Sequence, residues 1–297
     1  MYVIMGSSGN IGKLIATTLL KSGKQVRVIS RDMSKVQDLV DQGAESVIGK
    51  ISNIRLLRDA FKGAKAVYAM IPTNSWTNNY RAFQNGIARN IARAIETAGV
   101  KYVVALSGVG AHLQEKGGIV QGLYDMENRF NDVDALNVLY LRPSTFMENL
   151  LGQIHSIKQL GVMASAVKAD LKFSVVATRD IAKAAADRLL RLNFKGAGNI
   201  QYILGPRELT YVEIARILGR AIDLPDLQYV ELSYSDAKHD MIQRMGTSEN
   251  VAETMIEYFE TMNTGRLFND VKRTFENTTL TSLEDFAPVF ARAYHNH

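Results

Sequence analysis

Cysteine is absent from all 297 residues. Disulfides, thiolate metal centres and cysteine nucleophiles are thereby excluded, and the absence fits a reducing compartment, so a cytoplasmic protein is expected. Long apolar runs are missing too: no stretch approaches the ~18 residues that a membrane helix needs. No basic-plus-apolar leader is expected, because Met1 runs straight into an apolar segment. The sequence has no repeats and no low-complexity segment. It also lacks a dense Lys/Arg cluster with interleaved aromatics, which argues against nucleic acid as a partner. No metal site is expected.

What is present is ordinary for a soluble globular chain, with 22% charged and 46% hydrophobic residues. The length is enough to bury a large core in one or two domains. The net charge of +5 is unevenly spread. Residues 231–297 hold 11 Asp/Glu against 6 Lys/Arg, so the rest of the chain is markedly basic and suits anionic ligands.

The chain opens on Tyr2-Val3-Ile4-Met5, an apolar run. Gly6-Ser7-Ser8-Gly9-Asn10-Ile11-Gly12 follows, and a helical pattern starts from there. A strand, a glycine-rich turn and a helix build a phosphate cradle. Glycine allows the tight turn and close backbone approach, and the helix start offers free N–H groups and a partial positive charge. The spacing is G-x-x-G-x-x-G rather than G-x-G-x-x-G. The competing reading is an ordinary βα turn whose glycines only permit close packing.

Through residue 106 strands and helices alternate. Strands are expected at 2–5, 26–30, 45–48, 66–71 and 102–106, and helices at 11–21, 33–41, 53–61 and 78–97. Gly23, Gly43, Gly63 and Gly99 each stand just past a helix. Single helices between strands imply right-handed crossovers and a parallel sheet. A helix around 121–132 and a sixth strand, 138–141, follow. Beyond Pro143 the pattern loosens to a strand at 173–176, a helix at 179–192, strands at 200–204 and near 228–232, and mostly helix after Thr210. Thr210 and Glu213 form a capping box. The fold class is therefore α/β: a Rossmann-type doubly wound parallel sheet with a smaller, mainly helical C-terminal substrate region. The expected division is 1–150 for the nucleotide, with 176–206 returning to its sheet, and 151–175 with 207–297 for the substrate.

An acidic residue at the end of the second strand would bind the ribose 2′-hydroxyl of NAD. Here Ser30 and Arg31 stand there. A neutral serine does not repel a 2′-phosphate, the guanidinium can grip it bidentately, and Lys35 adds charge a turn later, so NADP is the expected cofactor. Arg31 also reads as a solvated strand-end residue that Asp32 neutralises. Ile71 and Pro72 leave the fourth strand toward the cofactor. Trp76, the only tryptophan, reads equally as a cover for nicotinamide or an aromatic substrate and as a packing residue of a surface loop. Ser107, ending the fifth strand, and His112 beyond it are candidates for the reaction cleft, with His112 a candidate proton donor.

Six passages resemble the NmrA-like branch of the atypical short-chain dehydrogenases: Gly6 to Gly12, Arg31, Ala98 to Lys101, Leu106-Ser107-Gly108, Leu141-Arg142-Pro143-Ser144-Thr145-Phe146-Met147-Glu148-Asn149, and Arg179-Asp180-Ile181-Ala182. They keep the family's order and spacing, and the C-terminal stretch from Leu209 to Phe286 resembles its helical region. The resemblance implies that Gly6, Ser8, Gly9, Asn10, Ile11, Gly12 and Arg31 contact NADP. Ile71, Pro72 and Ser107 would lie along the nicotinamide half, and Asn149 at the rim of the substrate cleft. The family includes NADPH-dependent quinone reductases, triphenylmethane-dye reductases and regulators that bind NADP without known chemistry.

The wider superfamily relies on Tyr-x-x-x-Lys after the fifth strand. Here the tyrosine of that region is Tyr124, and Asn128 stands four residues on. The one textual match, Tyr234 and Lys238, reads as two neighbours on a helix face. Lys50 occupies the place of the aspartate that helps hold adenine. The expected function is hydride transfer from NADPH to a quinone, dye or similar conjugated acceptor, which can take its proton from water. The alternative is a non-catalytic NADP(H) sensor acting on a protein partner. A sugar-nucleotide epimerase is disfavoured by the missing motif. Met147, Met163, Phe173, Met241, Met245 and Tyr258 read either as pocket lining or as core. A monomer and a homodimer are both compatible with the sequence.

Overall fold

The central strand β1 (Tyr2–Ile4) is apolar at every position because both of its faces are covered. Tyr2 and Ile4 turn toward one core, and Val3 and Met5 toward the other. The computed structural model describes residues 1–296. Around β1 stand β2 (Val26–Ser30), β3 (Glu45–Ile48), β4 (Ala66–Ala69), β5 (Tyr102–Leu106), β6 (Asn137–Pro143) and, from much later in the chain, β10 (Asn199–Ile203). Their spatial order is β10-β6-β5-β4-β1-β2-β3, and every pair is parallel.

Helices α1 (Asn10–Lys21), α2 (Gln37–Asp41), α3 (Ile54–Phe61), α4 (Tyr80–Ala98) and α5 (Gln121–Asn131) make the crossovers. Ile11, Ile15 and Leu19 of α1 recur every four residues. They bury on the same sheet face as Ile181, Ala185 and Leu189 of α7 (Thr178–Arg191). The opposite face takes Leu57 of α3, Ile87, Ile91 and Ile95 of α4, and Met126 and Phe130 of α5. Each such side chain contributes about 1.5–3 kcal/mol, and truncating one, Ile91 for example, costs about 2–5 kcal/mol.

Two elements are shorter than the sequence pattern predicts by two residues or more. The helix expected over 33–41 begins only at Gln37, because Asp32 Oδ1 accepts from Ser34 N (3.0 Å) and from Ser34 Oγ (2.8 Å) and holds a turn there. The fourth strand stops at Ala69, before Ile71 and Pro72.

Beyond β6 three short pieces escape the sequence pattern: β7 (Thr145–Phe146), β8 (Val162–Ser165) and β11 (Glu208–Leu209). Strand β9 (Phe173–Val176) pairs parallel with β7 and antiparallel with β11. Strand β12 (Gln228–Glu231) pairs parallel with β8, away from the main sheet. Strands β8, β9, β11 and β12 share a third core with α6 (Ile154–Leu160), α8 (Tyr211–Ala221), α10 (Glu249–Asn263) and α11 (Leu283–Asn296). The Thr210–Glu213 capping box is formed at the start of α8. Helix α10, preceded by α9 (Tyr234–Gln243), is tied back to the β4–α4 loop. Ser248 N donates to Ser75 O (2.8 Å), Ser248 Oγ to Thr77 O (2.6 Å), and Tyr80 N to Asn250 Oδ1 (2.8 Å).

Candidate functional site

The glycine turn is built the way a phosphate cradle must be. Gly6 has φ +62°, a left-handed conformation, and a Cβ there would stand 3.1 Å from Met70 Sδ. Gly9 N donates to Gly6 O (3.0 Å), which closes the turn. A Cβ on Gly12 would lie 2.3 Å from Gly6 O, so no larger residue fits under the turn. Buried Ser7 pegs the turn to β2 by donating to Ile29 O (2.9 Å). Gly9 is the N-cap of α1, with no side-chain cap and no acidic residue in the first turn. The first amides of the helix therefore have no partner within it. Ser8, Gly9 and Asn10 are exposed, while Ile11 and Gly12 are buried beneath them. A shallow, uncapped, glycine-floored helix start fits a pyrophosphate.

Arg31 is exposed, and neither it nor Lys35 forms an ion pair among the described residues. Asp32 does not neutralise Arg31. Its carboxylate is engaged by the Ser34 side chain and then the Ser34 backbone, which hold its pKa below the usual value. The hydroxyl of buried Ser30 donates to Asp32 O (2.8 Å) and presents no charge. Lys50 is exposed at the end of β3, and Ile71 and Pro72 are half-buried past β4. Trp76 is 76% exposed and is not a packing residue.

Ser107, 5% exposed, donates to Glu127 Oε1 (2.5 Å). Glu127 in turn receives Arg142 Nε (3.0 Å) and Nη2 (2.6 Å) in a buried bidentate pair. Arg142 Nη1 reaches Tyr202 OH (2.9 Å) and Asp270 Oδ2 (3.0 Å), and Asp270 Oδ1 lies 3.0 Å from His112 Nδ1. Tyr202 also donates to Asp270. Burial alone would lower the Arg142 pKa, but the bonds to Glu127 and Tyr202 outweigh it and the guanidinium stays firmly charged. Burial, then the bond to Asp270, pushes the Tyr202 phenol up to about 12.

This network decides what the α5 face opposite Ser107 can do. Glu127 stands on it, and Leu123, one turn earlier, packs 3.3 Å from where a Gly108 Cβ would be. An acid–base tyrosine and its lysine would stand four residues apart on such a face. An apolar residue and an ion-paired carboxylate occupy it instead. Tyr234 and Lys238 serve elsewhere: Lys238 Nζ binds Glu253 (2.8 Å) and Glu249 (3.3 Å), and Tyr234 OH accepts from Asn263 (2.9 Å).

The motif at 147–149 divides its work. Met147 is buried in the C-terminal core. Glu148 caps α7, accepting from Thr178 N (3.0 and 3.1 Å) and Thr178 Oγ1 (2.5 Å). Asn149 is exposed. Met163 and Phe173 join Met147 in the core with Tyr258 packed against it, whereas Met245 is 64% exposed and Met241 half-buried outside that cluster.

Sequence reasoning missed Glu127, Tyr202 and Asp270. The one available signal was Glu127, a lone acid one turn after Leu123 on an otherwise apolar face. A concavity of about 680 Å³, lined by Tyr102, Leu139, Phe194 and Asn199, opens at the amino-terminal ends of β5, β6 and β10, away from the cradle.

The model of the NmrA-like family matches residues 2–287. A (4-alkanoyl-5-oxo-2,5-dihydrofuran-3-yl)methyl phosphate reductase of Streptomyces griseus is 25% identical, over 97% of this chain and 100% of its own length. An uncharacterised oxidoreductase of Bacillus subtilis is 26% identical, over 97% of this chain and 94% of its own. Among solved structures, an NADPH-dependent quinone oxidoreductase of Escherichia coli in complex with NADPH superposes with a TM-score of 0.80 at 23% identity, covering 97% of this chain and 98% of the other. The Citrobacter sp. triphenylmethane reductase complexed with NADP(H) gives 0.77 at 19% identity, covering 98% and 100%. With a family model that runs over nearly its whole length, the chain belongs to the NmrA-like family.

Proposed function

We propose that this protein is a cytoplasmic NADPH-dependent reductase that passes hydride to a quinone, a dye or a similar conjugated acceptor. The observation that carries the reading is the uncapped glycine cradle with a free guanidinium at the end of the neighbouring strand. Gly6, Ser8, Gly9, Asn10, Ile11 and Gly12 hold the pyrophosphate by backbone amides and shape. Arg31, with Lys35 beside it, takes the 2′-phosphate and selects NADP over NAD. Ile71, Pro72 and Ser107 border the nicotinamide, which supplies the hydride when NADPH is bound. Residues 1–150 with 176–206 form the cofactor-binding part, and 151–175 with 207–297 cover the acceptor, with Asn149 at its rim.

The names of the Streptomyces relative and of the Escherichia and Citrobacter structural neighbours support a reductase. Leu123 and Glu127 opposite Ser107 support an acceptor that needs no tyrosine–lysine pair, so that proximity and orientation carry the rate. The same two residues favour a second reading, a sensor that binds NADP(H) without turnover. Nicotinamide absorbance, followed with purified protein, NADPH and a panel of quinones and triphenylmethane dyes, separates the two. Oxidation of NADPH with any acceptor supports the reductase. Tight NADPH binding with no oxidation across the panel overturns it in favour of the sensor.

A further inference from the structure

The hydroxyls around the reaction cleft differ in whether they have a proton to give. Ser107 has one, and it points at Glu127 Oε1 (2.5 Å), so toward a ligand its oxygen can only accept. His112 is turned through Nδ1 onto Asp270, and Arg142 stands between that pair and Glu127. Arginine keeps its proton in proteins, so this chain of contacts cannot pass one from His112 to Ser107. The α5 face where a tyrosine would stand carries Leu123.

A tyrosine does stand by the loops at this end of the sheet. Tyr258 lies on α10, and two loops at the carboxyl edge of the sheet fix its position. The loop after β5 presses against it: a Cβ on Gly118 would stand 2.5 Å from Tyr258 N and 2.8 Å from Tyr258 Cβ, so only glycine lets the helix come this close. Gly118 N donates to Glu257 Oε1 (3.2 Å), which sets the helix register. Thr145, just past β6 at the start of β7, stands beside the Tyr258 hydroxyl. Ser144, next to Thr145, is 5% exposed and its Oγ has no partner. The segments that flank Tyr258 follow β5 and β6, and the first of them begins at Ser107 and runs to Gly118. Tyr258 packs against the C-terminal core, in which Tyr211 is stacked on Tyr229 (4.7 Å between centroids) and tilted against Phe173 (5.2 Å). A half-buried phenol beside an apolar core offers a conjugated carbonyl one donor for its oxygen.

We propose that Tyr258, placed beside Thr145, is the group that receives the acceptor's carbonyl oxygen and gives it a proton during reduction. The proposal rests on the reductase reading above. Hydride arriving from NADPH forms the new C–H bond at the conjugated carbon, and the displaced π pair moves to the carbonyl oxygen. The Tyr258 O–H bond breaks as its proton forms the new O–H bond, and the phenolate regains a proton from water. One acceptor, one NADPH and one proton are consumed for each reduced product and NADP⁺. Burial raises the pKa of this phenol, so it enters the reaction protonated. Thr145 acts as a positioning residue.

The test uses the full-length protein and Tyr258→Phe, with Thr145→Val as a second variant and thermal unfolding to verify that all three fold. The first readout is steady-state reduction of a benzoquinone and of a conjugated enone, whose enolate needs the proton more. Tyr258→Phe should lower kcat on the enone by about 100-fold or more, and on the quinone by much less, with KM for NADPH unchanged. Thr145→Val should fall between wild type and Tyr258→Phe.

The second readout needs neither turnover nor cofactor. Calorimetry compares binding of 2-methyl-1,4-naphthoquinone with 2-methylnaphthalene, which lacks the oxygens. Wild type should prefer the quinone by about 10-fold, and Tyr258→Phe should lose that preference. A Tyr258→Phe protein with enone kcat within twofold of wild type and an unchanged binding preference overturns the proposal. If wild type reduces nothing while its binding preference still depends on Tyr258, the reductase reading falls and carbonyl recognition by Tyr258 stands.

Discussion

Glu127 offers a perturbation whose size can be worked out from the contacts. Glu127→Ala removes two charge-assisted bonds to Arg142, at 3.0 and 2.6 Å, and the acceptor of the buried Ser107 hydroxyl. Stripping one partner from a buried ion pair costs about 3–5 kcal/mol, because the remaining charge is left uncompensated. Arg142 keeps Asp270 (3.0 Å) and Tyr202 (2.9 Å), and Asp270 is 28% exposed, so part of its charge is still balanced through a partly screened partner. The low end of the range follows, about 3 kcal/mol. Replacing both partners, Glu127→Leu with Arg142→Met, removes the charges together and should cost clearly less than the sum of the single losses, with a coupling of about 2 kcal/mol or more. Urea unfolding of the wild type, Glu127→Leu, Arg142→Met and the double variant gives the cycle, with Glu127→Ala measured beside them. A Glu127→Ala loss under about 0.5 kcal/mol, or strictly additive losses, would refute the view that this pair is a coupled buried unit.

Arg31→Ala should weaken NADPH binding by roughly 30-fold, the worth of a charge-assisted bidentate contact of about 2 kcal/mol at an exposed site, and leave NADH binding nearly unchanged. Fluorescence titration with both nucleotides measures this, and equal losses would sink the 2′-phosphate assignment. Gly12→Ala places a methyl 2.3 Å from Gly6 O and must displace the turn, so NADPH binding should fall by more than tenfold while the far-UV circular dichroism spectrum keeps its shape. An alanine variant that binds normally would show that this turn does not touch the cofactor. Asp125 is held below its ordinary pKa, first by the Arg81 side chain (2.7 and 2.8 Å). Its folded pKa is depressed, so its contribution to stability is complete above the ordinary carboxylate pKa and is lost as pH falls through the folded value. Acid unfolding of Asp125→Asn should therefore show less loss of stability below pH 4 than wild type, and identical profiles would remove this group from the account.

The main sheet was legible because its physics is local. The first five strands are short runs rich in Val, Ile, Tyr or Ala, separated by helices that end in glycine, and burial on both faces makes the runs of β1 and β4 continuous. The cradle was legible for the same reason: Gly6 and Gly12 are demanded by a turn seven residues long. The Ser107 network was not legible, because its members stand 15 to 128 residues from Arg142 in sequence and meet only through the register of β6 with β10 and the return of the C-terminal region. Arg142 stood in a stretch that carries the family resemblance, and in the fold it anchors Glu127. The small strands β7, β8 and β11 were missed because two to four residues carry too little periodicity to register. Trp76 was undecided because nothing in the neighbouring sequence distinguishes an exposed loop tryptophan from a packed one.

The main sheet borrows its last strand from far along the chain, and this has a consequence for how the protein is made. β10 closes the open side of β6, and α7 covers the same sheet face as α1, yet both lie beyond the excursion through 151–175. During synthesis the glycine turn emerges first, but the face behind it stays partly bare until about two thirds of the chain has left the ribosome. Until then β6 presents a free edge able to pair with another chain, and Ile15 and Leu19 lack part of their cover. A gene truncated near residue 150 would hold that nascent state permanently, and should give aggregate rather than a small nucleotide-binding protein.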